Sequence, residues 1–507
     1  MSTTLVKGKY VLCGVKNKDS VEVISDGAVF QRDGLIVEVG KHINLRNKYA
    51  FSEEIGSDRF LVMPGLINAH QHGRGSTFIR GIPDGNLESW ILKPMTRKPV
   101  DRYYDTLYCI ARLIESGVTT VVHHQTPVSP NYGEMVNGIL RAYHDGGIRV
   151  AFALGIKNQN DVVYSDNQNF LDSLPRSLSE RVGKYRAEAR VSEDEYFELF
   201  ANLHKEYGTD SRIKILHGPN GFQWCSEGLL KRIKQSAIEN HTGIHMHLLE
   251  TVFQRMYALE TFGKTAVEYM DEIGFLGPEL SCAHCVWATM NDIKLLSKNR
   301  VSICHNPSSN LRLKSGIAPV NQMLENGMNV ALGMDSTAIN DDDDMLQELR
   351  LCSYLQRTPG WERSSPSTGQ LLKMATVNGA NVTPFVGEVG TLEKGKRADI
   401  ILVDVKNINE PYLDSEIGIV DALVARGKGR DVDTVMIDGE IVMRDRELTR
   451  INRNEIISRL RESYGRATSD EKLRILVHDV LPYVSDFYQE RDKSGKIPDY
   501  TYNCLDQ

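Results

Sequence analysis

The stretch PGLINAHQHGRG, Pro64–Gly75, decides the fold. It closes an apolar run, Phe60–Asn68, with two histidines spaced two apart. In a strand, residues i and i+2 point to the same face, so His70 and His72 can reach one cation. Outward from it, short apolar runs recur at Thr119–Val122, Arg149–Ile156, Ile213–Leu216, Gly243–Leu248, Leu280–Val286, Val301–Cys304 and Asn329–Gly333. The gaps carry helical periodicity, as in Tyr103–Glu115, Glu134–Tyr143, Glu227–Ile238 and Val252–Tyr269. Strands alternating with helices in this way predict an α/β chain built on a (β/α)₈ TIM barrel, whose catalytic groups sit at the C-terminal strand ends. Polar residues collect at those ends: His123, His124 and Gln125; His217 and Asn220; His247 and Glu250; His284; His305; Asp335. Counting His245, nine of the 14 histidines lie within or just after the runs, which favours a built rim over chance.

The chain has 507 residues, room for a barrel plus a smaller unit at about 150 residues per domain. Its 60 Lys+Arg against 67 Asp+Glu leave a net charge of −7, so neither a nucleic acid nor an anionic membrane surface is expected as partner. A hydrophobic fraction of 41% and a charged fraction of 25% exclude disorder and low complexity. No apolar run approaches the roughly 18 residues of a membrane span, and Met1–Ser20 lacks the apolar core of a signal peptide. Eight scattered cysteines read as the reduced thiols of a cytoplasmic protein. The one CxxC, Cys282–Cys285, has no second pair, so no zinc or redox role is assigned to it.

Two β-rich flanks frame the barrel. DGAVFQRDGLIVEVG (Asp26–Gly40) lies before it; ADIILVD (Ala398–Asp404) and DTVMIDGEIVMRD (Asp433–Asp445) follow it. Their Asp-Gly turns favour hairpins. Each flank is too short to bury a core alone, so the two are expected to pair into one small β-sandwich domain. The division is then 1–63 and 385–447 for the sandwich, 64–384 for the barrel, and 448–507 for a helical C-terminal extension. That extension, with its polar end around Pro498, covers either the barrel or a subunit contact.

The segments HMHLLE (His245–Glu250) and LGMDS (Leu332–Ser336) add His247, Glu250 and Asp335 to the histidine pair. Three neutral imidazoles and one carboxylate suit Zn²⁺ or Fe²⁺ and leave a position for water. Strict alternation puts His245 on the same face as His247, so alternation does not choose between them. The acid run Asp341–Asp344 reads as helix-terminus charge ahead of MLQELRLCSYL, although Asp341 can face the pocket. Arg74, Arg80 and Trp90 occupy the first rim loop as a lid, a substrate wall or surface packing. The H-x-E…P-C-x-x-C, G-x-S-x-G and G-x-x-x-x-G-K-[ST] signatures are absent.

PGLINAHQH, HLLET, AHCV, HNPSSNLRLKSGIAPV, GMDS, MATVNGA and GEVGTLEKGKRADIILVD, in this order, resemble the amidohydrolase superfamily across about Val21 to Arg444. The similarity is strongest to its mononuclear branch of cytosine deaminase-like, guanine deaminase-like and triazine-hydrolase enzymes. That resemblance implies a distorted barrel with a β-sandwich from both termini. It also implies one divalent metal per chain, Zn²⁺ ahead of Fe²⁺, on His70, His72, His247 and Asp335. By the same resemblance Glu250 shuttles a proton, His284 and Asp335 hold the water, and the chain is a homo-oligomer. Many relatives carry GPHS where this chain has GPNG, so Asn220 replaces a substrate-contacting histidine, which weighs against a purine-type or nucleoside-type substrate. Asn220, Gln125, Trp90 and Arg74 are the expected substrate contacts. Lys214 lies at the start of its run, far from the rim, so no bridging lysine is expected. The expected activity is hydrolytic deamination of an N-heterocyclic small molecule. The alternatives are an amide, urea, carbamate or halide-displacing hydrolase and, remotely, a non-catalytic scaffold, which would have lost ligands.

Overall fold

The computed structural model describes residues 2–15, 20–75, 77–127, 131–336, 338–361 and 365–493. Its strands fall into two sheets. The barrel consists of β5 (Leu66–Gln71), β6 (Val118–Gln125), β7 (Arg149–Ile156), β8 (Ile213–Pro219), β9 (Ile244–Leu248), β10 (Leu280–His284), β11 (Ser302–His305) and β12 (Val330–Leu332). Four strands precede it, β1 (Thr3–Val15), β2 (Val21–Arg32), β3 (Leu35–Lys41) and β4 (Glu53–Pro64); four follow, β13 (Ile400–Asp404), β14 (Val432–Ile437), β15 (Glu440–Arg444) and β16 (Glu447–Leu448).

Barrel strands lie side by side in chain order, and the pairings between them are parallel. The backbone N–H groups of Met334 and Asp335 donate to the His70 carbonyl at 3.2 and 2.9 Å, which brings the end of β12 against β5. The barrel is distorted between β8 and β9, where regular pairing shrinks to His217 with Ile244 plus one bridge, Gly221 with His247. Parallel strands buried on both faces read as continuous apolar runs, which is why most were visible in the sequence.

Two readings need correction. The run Phe60–Asn68 is two strands: β4 ends in the terminal sheet and β5 begins the barrel. At the junction a Cβ on Gly65 would lie 2.1 Å from Thr119 Oγ1, so glycine lets the chain cross close to β6. The helical stretch Val252–Tyr269 is likewise two helices, Val252–Phe262 and Ala266–Glu272. Gly263, at φ +68°, closes the first, and Thr265 caps the second reciprocally with Glu268.

The terminal sheet runs β16-β15-β14-β13-β4-β1-β2-β3, so both chain ends share it. Its Asp-Gly turns have positive φ at both residues, 49° and 83° at Asp33-Gly34 and 56° and 77° at Asp438-Gly439, as tight hairpins require. The sheet curls back: Ile36 N–H donates to the Lys396 carbonyl and Ala398 N–H to that of Gly34, both at 2.8 Å. Val6, Val29, Ile36, Val62, Ile400 and Met436 fill the fold between. Fully buried Arg149, first residue of β7, joins the units by donating to both carboxylate oxygens of Asp399, at 3.1 and 2.9 Å.

The C-terminal extension forms helices Arg453–Arg466 and Glu471–Asp492. The first packs on the barrel helix Arg102–Glu115; the second packs over the rim on Leu87–Trp90, Lys93–Thr96 and Arg176–Ala189. The polar end with Pro498 lies outside the described residues. No described helix is long and apolar enough to cross a membrane. Cys282 and Cys285 form no disulfide and are buried.

Candidate active site

The C-terminal strand ends bring His70, His72, His247, His284, Glu250 and Asp335 into one cluster, buried except for half-buried His72. Hydrogen-bond partners on the outside of the cluster decide which imidazole nitrogens carry protons. His72 Nδ1 donates to the His124 carbonyl at 2.7 Å and His247 Nδ1 to the Asn220 carbonyl at 2.8 Å, because a carbonyl oxygen only accepts. Each therefore turns a bare Nε2 inward. His70 is set by a longer chain. The Ser281 hydroxyl donates to the Ile244 carbonyl at 3.2 Å, so it accepts from His245 Nδ1 at 2.8 Å; His245 Nε2 then accepts from His70 Nδ1 at 2.8 Å. His70 Nε2 is left buried, unprotonated and without a hydrogen-bond partner among the described residues.

These lone pairs converge. His72 Nε2 and His247 Nε2 stand 3.3 Å apart with no proton between them. Asp335 Oδ1 lies 3.3 Å from His72 Nε2 and 3.9 Å from His70 Nε2. Asp335 Oδ2 accepts the Ser309 hydroxyl at 2.6 Å. Burial first, and the neighbouring imidazoles second, hold His70 and His247 well below the ordinary histidine value. For Asp335, burial works upward, but His72, His284 and Ser309 bring its carboxyl below the usual value. Nitrogen lone pairs crowded on a carboxylate repel one another without a positive charge among them. The donor set fits a divalent cation, with outer partners orienting each imidazole.

His284 and Glu250 stand beside this set. His284, in a left-handed turn at φ +75°, donates from Nδ1 to Asn310 Oδ1 at 2.8 Å, leaving Nε2 bare, 3.7 Å from Glu250 Oε2 and 4.0 Å from Asp335 Oδ2. Burial, then the charges of Asp335 and Glu88, push the Glu250 carboxyl well above the carboxylate range.

The family comparison agrees with this geometry: Amidohydrolase family matches residues 61–442, most of the chain. The chain belongs to the amidohydrolase family. The 5'-deoxyadenosine deaminase of Methanosarcina acetivorans is 32% identical over 468 residues, covering 91% of this amidohydrolase and 97% of the relative. The 5-methylthioadenosine/S-adenosylhomocysteine deaminase of Caldanaerobacter subterraneus subsp. tengcongensis is 33% identical, covering 78% and 84%. Among solved structures, an adenosine deaminase from Xanthomonas campestris with bound zinc superposes with TM-score 0.78 at 24% identity, covering 92% of this chain and 98% of that one. A zinc complex of the atrazine chlorohydrolase of Arthrobacter aurescens gives 0.77 at 20%, covering 91% and 100%.

The expected substrate contacts divide. Asn220 Oδ1 and Trp90 Nε1 are buried with no hydrogen-bond partner among the described residues. Arg74 is half-buried and makes no hydrogen bond or ion pair among the described residues; burial, with Arg102 and Arg80 beside it, lowers its guanidinium to about 9. Gln125 is committed within this amidohydrolase, donating to the Thr126 carbonyl at 2.8 Å and meeting His123 Nε2 at 3.2 Å. Lys214 donates to the Gly208 carbonyl at 2.7 Å, away from the cluster. His217 packs, stacked on Phe200 and bonded to Tyr196 and Ser236. The run Asp341–Asp344 disperses: Asp341 pairs with Arg312, Asp343 with Arg112, and Asp344 caps the helix Met345–Leu355. Sequence reasoning missed His245 and Ser281 as the residues behind His70, and Glu88, a buried acid that accepts the Thr251 hydroxyl. The HMH spacing was a signal for His245; nothing local pointed to the other two.

Proposed function

We propose that this amidohydrolase deaminates an N-heterocyclic small molecule with one zinc ion per chain, held by His70, His72, His247 and Asp335. The observation that carries this reading is the convergence of imidazole lone pairs on Asp335 with a buried Glu250 alongside. When bound, the cation supplies the Lewis acidity that makes a water molecule nucleophilic near neutral pH. His284 Nε2, with Asp335 beside it, would accept a hydrogen bond from one proton of that water and aim it at the electron-poor ring carbon bearing the amine, leaving the second proton to Glu250. Glu250 takes the water proton as the C–O bond forms, giving a tetrahedral carbon. It then returns the proton to the exocyclic nitrogen, which cannot leave as an anion, and the C–N bond breaks to release ammonia, the proton left on oxygen passing to a ring nitrogen to give the carbonyl product. Burial raises that carboxyl, which favours its holding the proton between the two transfers.

The names of the relatives support 6-aminopurine nucleosides such as 5'-deoxyadenosine as the first substrates to assay, against the weight of Asn220 in GPNG. The family resemblance supports a homo-oligomer, and the sparse cysteines a cytoplasmic one. The test is Glu250→Gln, which keeps size and hydrogen-bonding reach but cannot titrate. It should retain zinc while kcat falls by about 10²–10⁴-fold, the usual worth of general acid–base catalysis. Near-native turnover would remove Glu250 from the proton path. Product without ammonia would replace deamination by the amide, urea, carbamate or halide-displacing reaction.

A further inference from the structure

One group of buried polar side chains takes no part in the chemistry above. Glu88, on the helix Leu87–Trp90 of the first rim loop, accepts the hydroxyl of Thr251, next in the chain to Glu250. Tyr164 lies in the connection after β7, is 4% exposed, and its hydroxyl makes no hydrogen bond of good geometry among the described residues. The polar neighbours of that phenol are Glu88, Glu250, Tyr488 and Gln254, with Glu88 and Gln254 near enough for weak hydrogen bonds. A buried hydroxyl so poorly partnered is costly, so such a group calls for an explanation, and a ligand is one.

What holds Tyr164 is the end of the chain. Its backbone N–H donates to Tyr488 Oη at 3.0 Å, and the two rings meet edge to face at 5.6 Å. Tyr488 also lies 4.9 Å from Phe253, ring to ring, on the helix that follows Glu250. The tail helix Glu471–Asp492 is pinned by Arg181 to Asp479 at 2.8 Å and by the Phe170–Phe487 contact, and it packs on Leu87–Trp90. It thus touches the elements that carry Tyr164, Glu88 and the residues just after Glu250.

We propose that the helix Glu471–Asp492 completes the substrate pocket, Tyr488 being a positioning residue that presents the Tyr164 hydroxyl to a polar group of the substrate away from the reacting carbon. This rests on the deaminase reading for its substrate, not for its geometry. The connection from Lys157 to Asp166 has no regular secondary structure. Without the tail it would have to order itself.

The test uses the full zinc-loaded chain with 5'-deoxyadenosine. Tyr164→Phe should raise KM about 3–10-fold, the worth of one hydrogen bond, with kcat nearly unchanged. Tyr488→Phe should raise KM less, and the double variant should match Tyr164→Phe alone, because both act through one contact. Native KM in either single variant, or additive effects in the double, would overturn the proposal. Hydrogen exchange gives a second readout that needs no substrate. Tyr488→Phe should speed exchange at the Tyr164 amide and also across Leu87–Trp90; acceleration confined to the tail and Tyr164 would overturn it. A wild-type chain that turned over no heterocyclic amine would sink the deaminase reading alone, and the exchange data would still decide the role of the tail.

Discussion

Ser281→Ala removes one hydroxyl from the fully buried chain Ile244 carbonyl, Ser281, His245, His70, and touches nothing the cation would touch. With the hydroxyl gone, His245 has two choices. It can keep its proton on Nδ1, leaving a buried donor unpaired at a cost of about 1–3 kcal/mol. Or it can move the proton to Nε2, which then faces the Nδ1 proton of His70 and drives that proton to Nε2, filling the lone pair that points into the site. The cation-free protein takes the cheaper second arrangement. Binding must reverse it, so the penalty falls on affinity: roughly 5–150-fold weaker binding, since 1.4 kcal/mol is a factor of ten. That range brackets the ~10–100-fold usual for partners standing behind metal ligands. Competition against a chromophoric chelator at fixed pH measures it. Ser302→Ala, one strand over, is the control, because its hydroxyl bonds Asn329 at 3.1 Å instead. Zinc affinity in Ser281→Ala within twofold of wild type would show that the serine does not set the His70 tautomer.

Acid stability should report the buried neutral histidines. Burial lowers His217 to about 3, far below its unfolded value of 6.5. The unfolded chain therefore takes up the proton first. The stabilisation is complete above pH 6.5 and is lost as pH falls toward 3, by about 1.4 kcal/mol per pH unit. His217→Gln should flatten the slope of unfolding free energy against pH by that amount, whatever its effect on stability at pH 8; an unchanged slope would contradict the assignment. Asp399→Asn should cost about 3–5 kcal/mol in urea unfolding, because it strands the Arg149 charge in the interior. The low end is expected, since Asp438 lies 3.7 Å from the same guanidinium. A loss below 1 kcal/mol, on the order of a surface ion pair, would mean that water reaches Arg149.

What the sequence determined alone was local or repetitive. Apolar runs of strand length, Asp-Gly turns, and histidines and acids just past the runs locate the barrel strands, the hairpins and the cluster, because each depends only on backbone period and neighbours. His70, His72, His247, Glu250, His284 and Asp335 were all legible in this way, with the family resemblance choosing His247 over His245. Period-two and period-3.6 patterns hold their phase across a change of partner. The boundary inside Phe60–Asn68 and the break inside Val252–Tyr269 were therefore decided by Gly65 against Thr119 and by Gly263. Alternation put His245 and His247 on one face; only depth along the barrel separates them, His245 meeting His70 and His247 meeting His72. Which nitrogen of each imidazole is bare, what Arg149 and Glu88 face in the interior, and where Tyr488 lands were fixed by residues distant in the chain. Those contacts exist only once the strands have closed and the tail has folded back over the rim.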